Sequence, residues 1–316
     1  MVFVDVGHDL DDVTQQLFGK RGANSGFVDS YASRIDYVEA DLNYKGQVMK
    51  CFSSKRVPVI TTLAKEFVVC DHWHSSVPGP TWPNRFFTHA ATCAGWLGDV
   101  KRLDLRTIFQ NLADPGKSWK IYYHDFSVTL WLQQLEQFPQ NFAKYDQFKA
   151  DAAAGNLPNY AFIEPCYGTL LDIIANDQHP DHDVLRGEHL IAETYAAVRS
   201  SPKWEKSLLM VTYDEHGGLY DHVFPPQGPP HAVNPGDPDS MACRFKFDRL
   251  GVRVPMVMIS PYIEKGKVDD TIYDHTSIAA TLKERFGLPN FLTKRDEAAN
   301  TFESILTRSA PRTDAR

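Results

Sequence analysis

Five short apolar runs, rich in β-branched and aromatic residues, stop abruptly at polar or Gly/Pro positions. They are EFVVCD at 66–71, WKIYYHD at 119–125, NYAFIEP at 159–165, SLLMVTYDE at 207–215 and RVPMVMISP at 253–261. Short runs of this kind bounded by turn formers predict buried strands. Between them, residues 57–67, 183–201 and 274–287 carry helix-like spacing, the last opening on Asp274 as an N-cap and closing on Gly287. Strands alternating with helices predict a single α/β domain with a mostly parallel sheet, and no repeat or linker divides the chain. In open parallel sheets the ligand crevice lies beyond the carboxyl ends of the strands. Asp71, His124, Asp125, Glu164, Asp214 and Glu215 stand where the runs stop, so a common crevice is expected to gather them. Residues 225–238 form a loop holding six of the twenty prolines, either a binding loop or an excursion of no consequence. Residues 307–316 read as a flexible tail.

Composition narrows the class. A chain of 316 residues, 43% hydrophobic and 23% charged, can bury one large core. The net charge of −7, without a basic stripe, argues against nucleic acid as a partner. No apolar run approaches the roughly 20 residues that cross a bilayer. The first residues also lack a charged n-region and a long h-region, so the chain as given is expected to be soluble and unexported. The cysteines, Cys51, Cys70, Cys93, Cys166 and Cys243, include no C-x-x-C pair. Buried free thiols are expected rather than a zinc-cysteine site.

Three segments carry candidate chemistry. In G-P-T-W-P-N-R, residues 79–85, a helix is expected to start with Thr81 at its N-cap and Pro83 in its first turn. A hydroxyl there feels the positive end of the helix dipole, which favours an alkoxide and an incoming phosphate. An ordinary capping threonine fits the same pattern, and a nucleophilic one needs a metal or a base. In Y-D-E-H-G-G, residues 213–218, the adjacent carboxylates of Asp214 and Glu215 end a strand. Buried together they resist joint ionisation unless a cation joins them. The glycines that follow let the side chains converge, and a polar turn is the plain alternative. The loop at 176–184, N-D-Q-H-P-D-H-D-V, places His179 and His182 where they can bind phosphate or protonate a leaving group, or simply face solvent.

At these three places the sequence resembles the phosphoesterase family that contains bacterial phosphatidylcholine-hydrolysing phospholipases C, plant non-specific phospholipases C and related acid phosphatases. The resemblance extends to DVGHDLDDVTQQLFG at 5–19 and FDRLGVRVPMVMISPYIEKGKV at 247–268 and so covers nearly the whole chain. It implies a three-layer α/β/α sandwich of alkaline-phosphatase type. Carried over residue by residue, it implies Thr81 as nucleophile and metal ligand, Asp214 and Glu215 as metal ligands, and Asn84 as a phosphate contact. His8 and His179 would surround the phosphate, with His179 protonating the leaving alcohol; His182, from the reading of its loop, is a further substrate-binding candidate. The implied cofactor is a divalent ion: two carboxylates and a hydroxyl suit calcium, magnesium or manganese, while the histidines admit zinc or iron. The implied substrate is a phospholipid or a small phosphoester. Membrane contact would be peripheral, through the Pro-rich loop with Phe224 and His231.

One departure bears on all of this. Family members open on a strand ending in a Glu-Asn pair that completes the metal site, and no Glu-Asn dipeptide occurs in this sequence. The chain is therefore expected to lack the first strand and part of the metal site. Phospholipase C-type hydrolysis is the leading reading, with an acid-phosphatase-type monoesterase and a catalytically impaired headgroup-binding protein as rivals. The absent segment also leaves the location of the protein open.

Overall fold

In the computed structural model, which describes residues 5–34, 42–98, 101–168, 174–228 and 245–314, each of the five apolar runs contains a strand. They are β1 (Val68–Cys70), β2 (Trp119–Tyr123), β4 (Tyr160–Glu164), β5 (Leu209–Thr212) and β6 (Met256–Ile259), with β3 (Phe142–Lys144) and β7 (Lys267–Asp269) in addition. Both additions are three residues long and carry a lysine, too short and too polar to stand out as apolar runs. The helices that matter here are α1 (Leu10–Leu17), α2 (Phe27–Arg34), α3 (Pro58–Glu66), α4 (Thr81–Ala90), α5 (Ile108–Ala113), α6 (Tyr145–Ala153), α7 (Val184–Arg199) and α8 (Thr276–Phe286).

The strands form two sheets. One runs β3-β2-β4 and is parallel throughout; the other runs β7-β1-β6-β5. In the second sheet β7 and β1 are parallel, but β6 is antiparallel to both β1 and β5. A parallel sheet is thus interrupted by one reversed strand. The connection from β5 to β6 is long enough to return in either direction.

Alternation along β2 shows the layering directly. Tyr122 enters a core with Leu63 of α3, Tyr145 and Phe148 of α6 and Val198 of α7. Trp119 and Ile121 enter a second core with Phe86 and Phe87 of α4, Phe109 and Leu112 of α5 and Ala279 of α8. Successive side chains of a strand point to opposite faces, so the sheet is covered by helices on both sides. The expected α/β/α sandwich is what the chain forms. A third, smaller core of Val13 and Leu17 of α1, Phe27 and Tyr31 of α2, Val48 and Val252 roots the amino-terminal helices.

Among the described residues β4 and β5 each pair on one side only. Ala161 and Ile163 of β4, and Leu209, Met210 and Val211 of β5, all pack on the same core yet are only half-buried. Each strand therefore presents an open edge of backbone N–H and C=O groups.

Local signals and structure agree at the end of α8 and nearly so at its start, where His275 rather than the expected Asp274 is the residue before the helix. Asp274 accepts from the backbone N–H and hydroxyl of Thr276, both at 2.6 Å, and Gly287 ends the helix in the left-handed region at φ 59°. They differ at the tail. Arg312 is buried and donates to the carbonyl of Glu66, while its own N–H reaches the carbonyl of Pro261 at 2.8 Å, so the described part of 307–316 is anchored rather than free. Cys70, Cys93 and Cys166 are buried free thiols and Cys51 is an exposed one; Cys243 lies outside the described residues.

Candidate active site

The loop at 75–80 feeds α4 and owes its shape to Asn84. The Asn84 carboxamide accepts from the N–H of Val77 at 3.0 Å and donates to the carbonyls of Val77, Gly79 and Pro80 at 3.2, 3.0 and 3.1 Å. Pro80, extended at φ −75° and ψ −177°, is the residue before the helix, and Thr81 is its first helical residue. Thr81 thus sits one position later than an N-cap, and its hydroxyl is not used to close the helix end.

Arg85 lies four residues on, on the same helix face as Thr81. Its Nε donates to Asp214 Oδ2 at 2.8 Å, its Nη1 donates to the Tyr167 hydroxyl, and its guanidinium lies 5.2 Å from the centre of that ring. Tyr167 is held in turn by Asp125, whose Oδ2 accepts from the N–H groups of Tyr167 and Gly168 at 2.9 and 3.2 Å. Glu164, fully buried, accepts from the N–H and hydroxyl of Thr129 at 3.0 and 2.7 Å. Burial pushes its carboxyl up despite these bonds and the nearby Arg85 charge.

Beyond β5 the backbone folds tightly around its carboxylates. The N–H of Glu215 donates to Asp214 Oδ1 at 3.1 Å, and that of Gly217 donates to Glu215 Oε2 at 2.6 Å. Gly217 and Gly218 have φ of 63° and 69°, and a Cβ at Gly218 would meet Val6 at 2.4 Å and the carbonyl of Gly7 at 2.5 Å. His275 donates from Nε2 to the Asp214 carbonyl at 2.7 Å, the tautomer being set by the Trp73 indole, which donates to Nδ1 at 3.3 Å.

The two carboxylates have different electrostatics. Burial raises Asp214, but the charge and hydrogen bond of Arg85 outweigh it and leave the group below its ordinary value. Glu215 lacks such a partner. Burial, with Asp214 beside it, raises Glu215 to about 7 even though His8 pulls the other way. A carboxyl raised by burial and further by a neighbouring carboxylate is a place where a cation is stabilising.

His8 connects this pair to the histidine loop. It donates from Nδ1 to the Val6 carbonyl at 2.7 Å, and its ring stands edge-on to that of His179 with centres 5.4 Å apart. Burial lowers His8, but Glu215, the Val6 carbonyl, Asp5 and Asp9 outweigh it and hold the imidazole above its ordinary value. Asp5, His8 and His179 bring one ligand atom each within 4.8 Å of one another. His182 stands behind His179, ring centres 5.5 Å apart, with its Nδ1 2.6 Å from Asp177 Oδ1.

The structure links Arg85, Asp214, Glu215, His8 and His179 along one arc, and Thr81 stands one turn before Arg85 on α4. Asn84 is not on it: its carboxamide is engaged in the loop that leads to Thr81, so what it visibly does is shape that loop. The expected gathering of strand ends is also partial. Asp125 and Glu164 reach the arc through Tyr167 and Arg85, whereas Asp71 turns to His72 at 2.8 Å and His124 stacks on Tyr145 at 4.3 Å. Those two side chains satisfy neighbours of their own. Of the Pro-rich loop, residues 229–238, including His231, lie outside the described residues. Arg85, Tyr167, His275 and Asp5 were not singled out from sequence. The i,i+4 spacing from Thr81 is a signal that identifies Arg85; His275 sits inside a segment legible only as a helix start, and nothing local marks Tyr167.

The sequence pattern of the Phosphoesterase family matches residues 1–289. The chain is a member of the phosphoesterase family. Among curated proteins this phosphoesterase-family chain is 44% identical to non-specific phospholipase C6 of Arabidopsis thaliana over 98% of its own length and 62% of that protein's. It is 39% identical to non-specific phospholipase C3 of the same plant, over 98% and 63%. Phospholipase C A of Mycobacterium tuberculosis is 28% identical over 99% and 67%. The chain spans less than two thirds of the length of the two plant relatives. Among solved structures, a protein in the alkaline phosphatase superfamily from Vibrio parahaemolyticus overlays 73% of this chain and 60% of its own, at 11% identity and a TM-score of 0.44.

Proposed function

We propose that this chain is the catalytic core of a phospholipase C-type phosphodiesterase that cleaves phospholipids to diacylglycerol and a phosphorylated headgroup. The observation that carries the reading is the bond from Arg85 to Asp214, which ties the helix bearing Thr81 to the Asp214-Glu215 turn. The names of the plant and mycobacterial relatives agree with it.

Thr81, an alkoxide before attack and again after release, attacks phosphorus in line through Oγ1, the bond from phosphorus to the diacylglycerol oxygen breaks, and His179 gives that oxygen its proton. Water then cleaves the phosphothreonine, leaving Thr81 and the phosphorylated headgroup, and the imidazole takes up the proton that water loses. Arg85, one turn from Thr81, keeps the Asp214 carboxylate in place, and His8, between Glu215 and His179, faces the phosphate. Asp214, Glu215 and Thr81 are the oxygen donors that would hold a divalent cation, and the buried Glu215 carboxyl fits that role. Such an ion lowers the pKa of the bound hydroxyl and offsets the charge on the phosphoryl oxygens. An all-oxygen set favours calcium, magnesium or manganese over softer metals.

The test is hydrolysis of p-nitrophenyl phosphorylcholine with added calcium, magnesium or manganese, beside Thr81→Ala. Metal-stimulated turnover that Thr81→Ala abolishes is the expected result; turnover that survives the substitution would refute Thr81. Faster hydrolysis of p-nitrophenyl phosphate than of the diester would move the reading to a phosphomonoesterase.

A further inference from the structure

Two knuckles project from the small amino-terminal core. The first is the hairpin in which Phe18–Gly19 pairs with Gly22–Ala23, with Lys20 and Arg21 at its tip. The second is the stretch at 49–56, Met-Lys-Cys-Phe-Ser-Ser-Lys-Arg, in which every residue is exposed and the chain turns through a bond from the Arg56 N–H to the Ser53 carbonyl at 2.8 Å. Phe18 and Phe52 are 50% and 52% exposed and Met49 is 42%. Other large apolar side chains are as open, Ile174 and Val268 at 61% among them, so what distinguishes these three is the basic residues beside them.

We infer that these two knuckles are a docking surface for an anionic phospholipid bilayer, with Phe18, Met49 and Phe52 entering the interface and Lys20, Arg21, Lys50, Lys55 and Arg56 facing lipid headgroups.

Charge supports a bilayer as the occupant. The segments 18–23 and 49–56 carry five basic residues and no acidic one, in a chain whose net charge is −7. Among the described residues, Asp221 lies 2.7 Å from Arg253 and Asp248 3.7 Å from Arg249, while Asp29, 3.6 Å from Arg21, offsets one of the five basic charges. Apolar tips flanked by long basic side chains suit an interface, where rings sit at the acyl boundary while ammonium and guanidinium groups reach the phosphates. The tips stand on separate projections, a shape that suits a deformable lipid surface.

The surface also adjoins the candidate active site through the backbone. The segment leaving Glu215 runs through Leu219, Tyr220 and Phe224. The Tyr220 N–H donates to the Val48 carbonyl at 2.9 Å, next to Met49, and the Phe224 ring stands edge-on to Phe18 at 5.4 Å. Leu219 and Phe224 pack on the same core as Leu17 and Val48. Docking here would bring the lipid surface up against the turn that carries the candidate metal ligands. For the reason a bilayer is visited, the inference rests on the phospholipid-hydrolysis reading.

Co-sedimentation with phosphatidylcholine vesicles, with and without phosphatidylserine, tests the surface without requiring turnover. The full chain is expected to bind the phosphatidylserine vesicles more tightly and to release them as sodium chloride is raised. Phe18→Ala with Phe52→Ala is expected to weaken binding by about ten-fold or more, and Lys55→Gln with Arg56→Gln by about five-fold per lost charge. In a Cys243→Ser background, an environment-sensitive dye on the exposed Cys51 is expected to shift toward the blue on vesicles. Equal binding by the chain and both variants, or binding indifferent to phosphatidylserine and salt, overturns the inference. Since Lys55 and Arg56 lie on an exposed turn, the charge variant keeps its fold. Hydrolysis of soluble p-nitrophenyl phosphorylcholine is expected to be unchanged in the variants. Its absence in the parent chain would sink the functional reading and leave the vesicle result standing.

Discussion

At the scale of single residues, buried polar groups without a partner make the sharpest tests. His89 is 2% exposed, its ring lies 4.5 Å from that of Phe162 and 5.2 Å from that of Phe109, and neither nitrogen has a hydrogen-bond partner. Burial, reinforced by Arg85 and His275, lowers this imidazole to about 3, against 6.5 for the ordinary group. Between those values the unfolded chain takes up a proton that the folded chain refuses. The stability held by this group is therefore complete above the ordinary value and is lost as pH falls toward the folded one. At roughly pH 5 the loss is about 2 kcal/mol. His89→Phe, a ring among rings, is expected to flatten the acid limb of stability against pH in urea titrations; an unchanged limb would show that His89 is not the group responsible. Thr81, Asp214, Glu215 and His179 are candidates legible in the sequence, because a hydroxyl at a helix start and paired carboxylates at a strand end are local patterns. The role of Asn84 was not visible, since its carboxamide bonds to three loop carbonyls whose positions the fold sets.

At the scale of elements, backbone conformation and close contact can be separated. Gly218 and Gly228 have nearly the same positive φ, 69° and 70°, but a Cβ at Gly218 strikes Val6 and Gly7 while one at Gly228 meets nothing within 4 Å. Gly228→Ala is expected to cost about 1 kcal/mol from the left-handed backbone alone. Gly218→Ala is expected to cost about 1–3 kcal/mol more, because the turn after Glu215 must move away from the first described residues. Urea midpoints of the two variants decide this, and equal midpoints would contradict the crowded turn. Strong local signals match the structure: each of the five apolar runs contains a strand, α8 closes on Gly287, and Asp274 bonds its first turn although His275 is the residue before the helix. Thr81 was placed one residue early because the extended Pro80 takes the position before the helix. The described part of the tail, 307–314, is anchored because Arg312 is buried against Glu66, a contact 246 residues distant in sequence that no local pattern shows.

At the scale of the whole molecule, the open edges of β4 and β5 are the main liability. Among the described residues each pairs on one side only and has half-buried apolar side chains beside its open edge, which together invite another strand. Sedimentation velocity is expected to show association that grows with protein concentration, and a single monomeric species at every concentration would contradict it. What the sequence determined alone was the α/β class, the position of the five apolar strands, and the family motifs with their candidate nucleophile and carboxylates, because these follow from short-range periodicity and residue chemistry. What only the tertiary structure decided was which of these groups meet. It brought Arg85 to Asp214 across 129 residues and His275 to the Asp214 carbonyl across 61, and it left Asp71 aside. Such pairings depend on how distant elements pack around a shared core, which no local pattern of residues records.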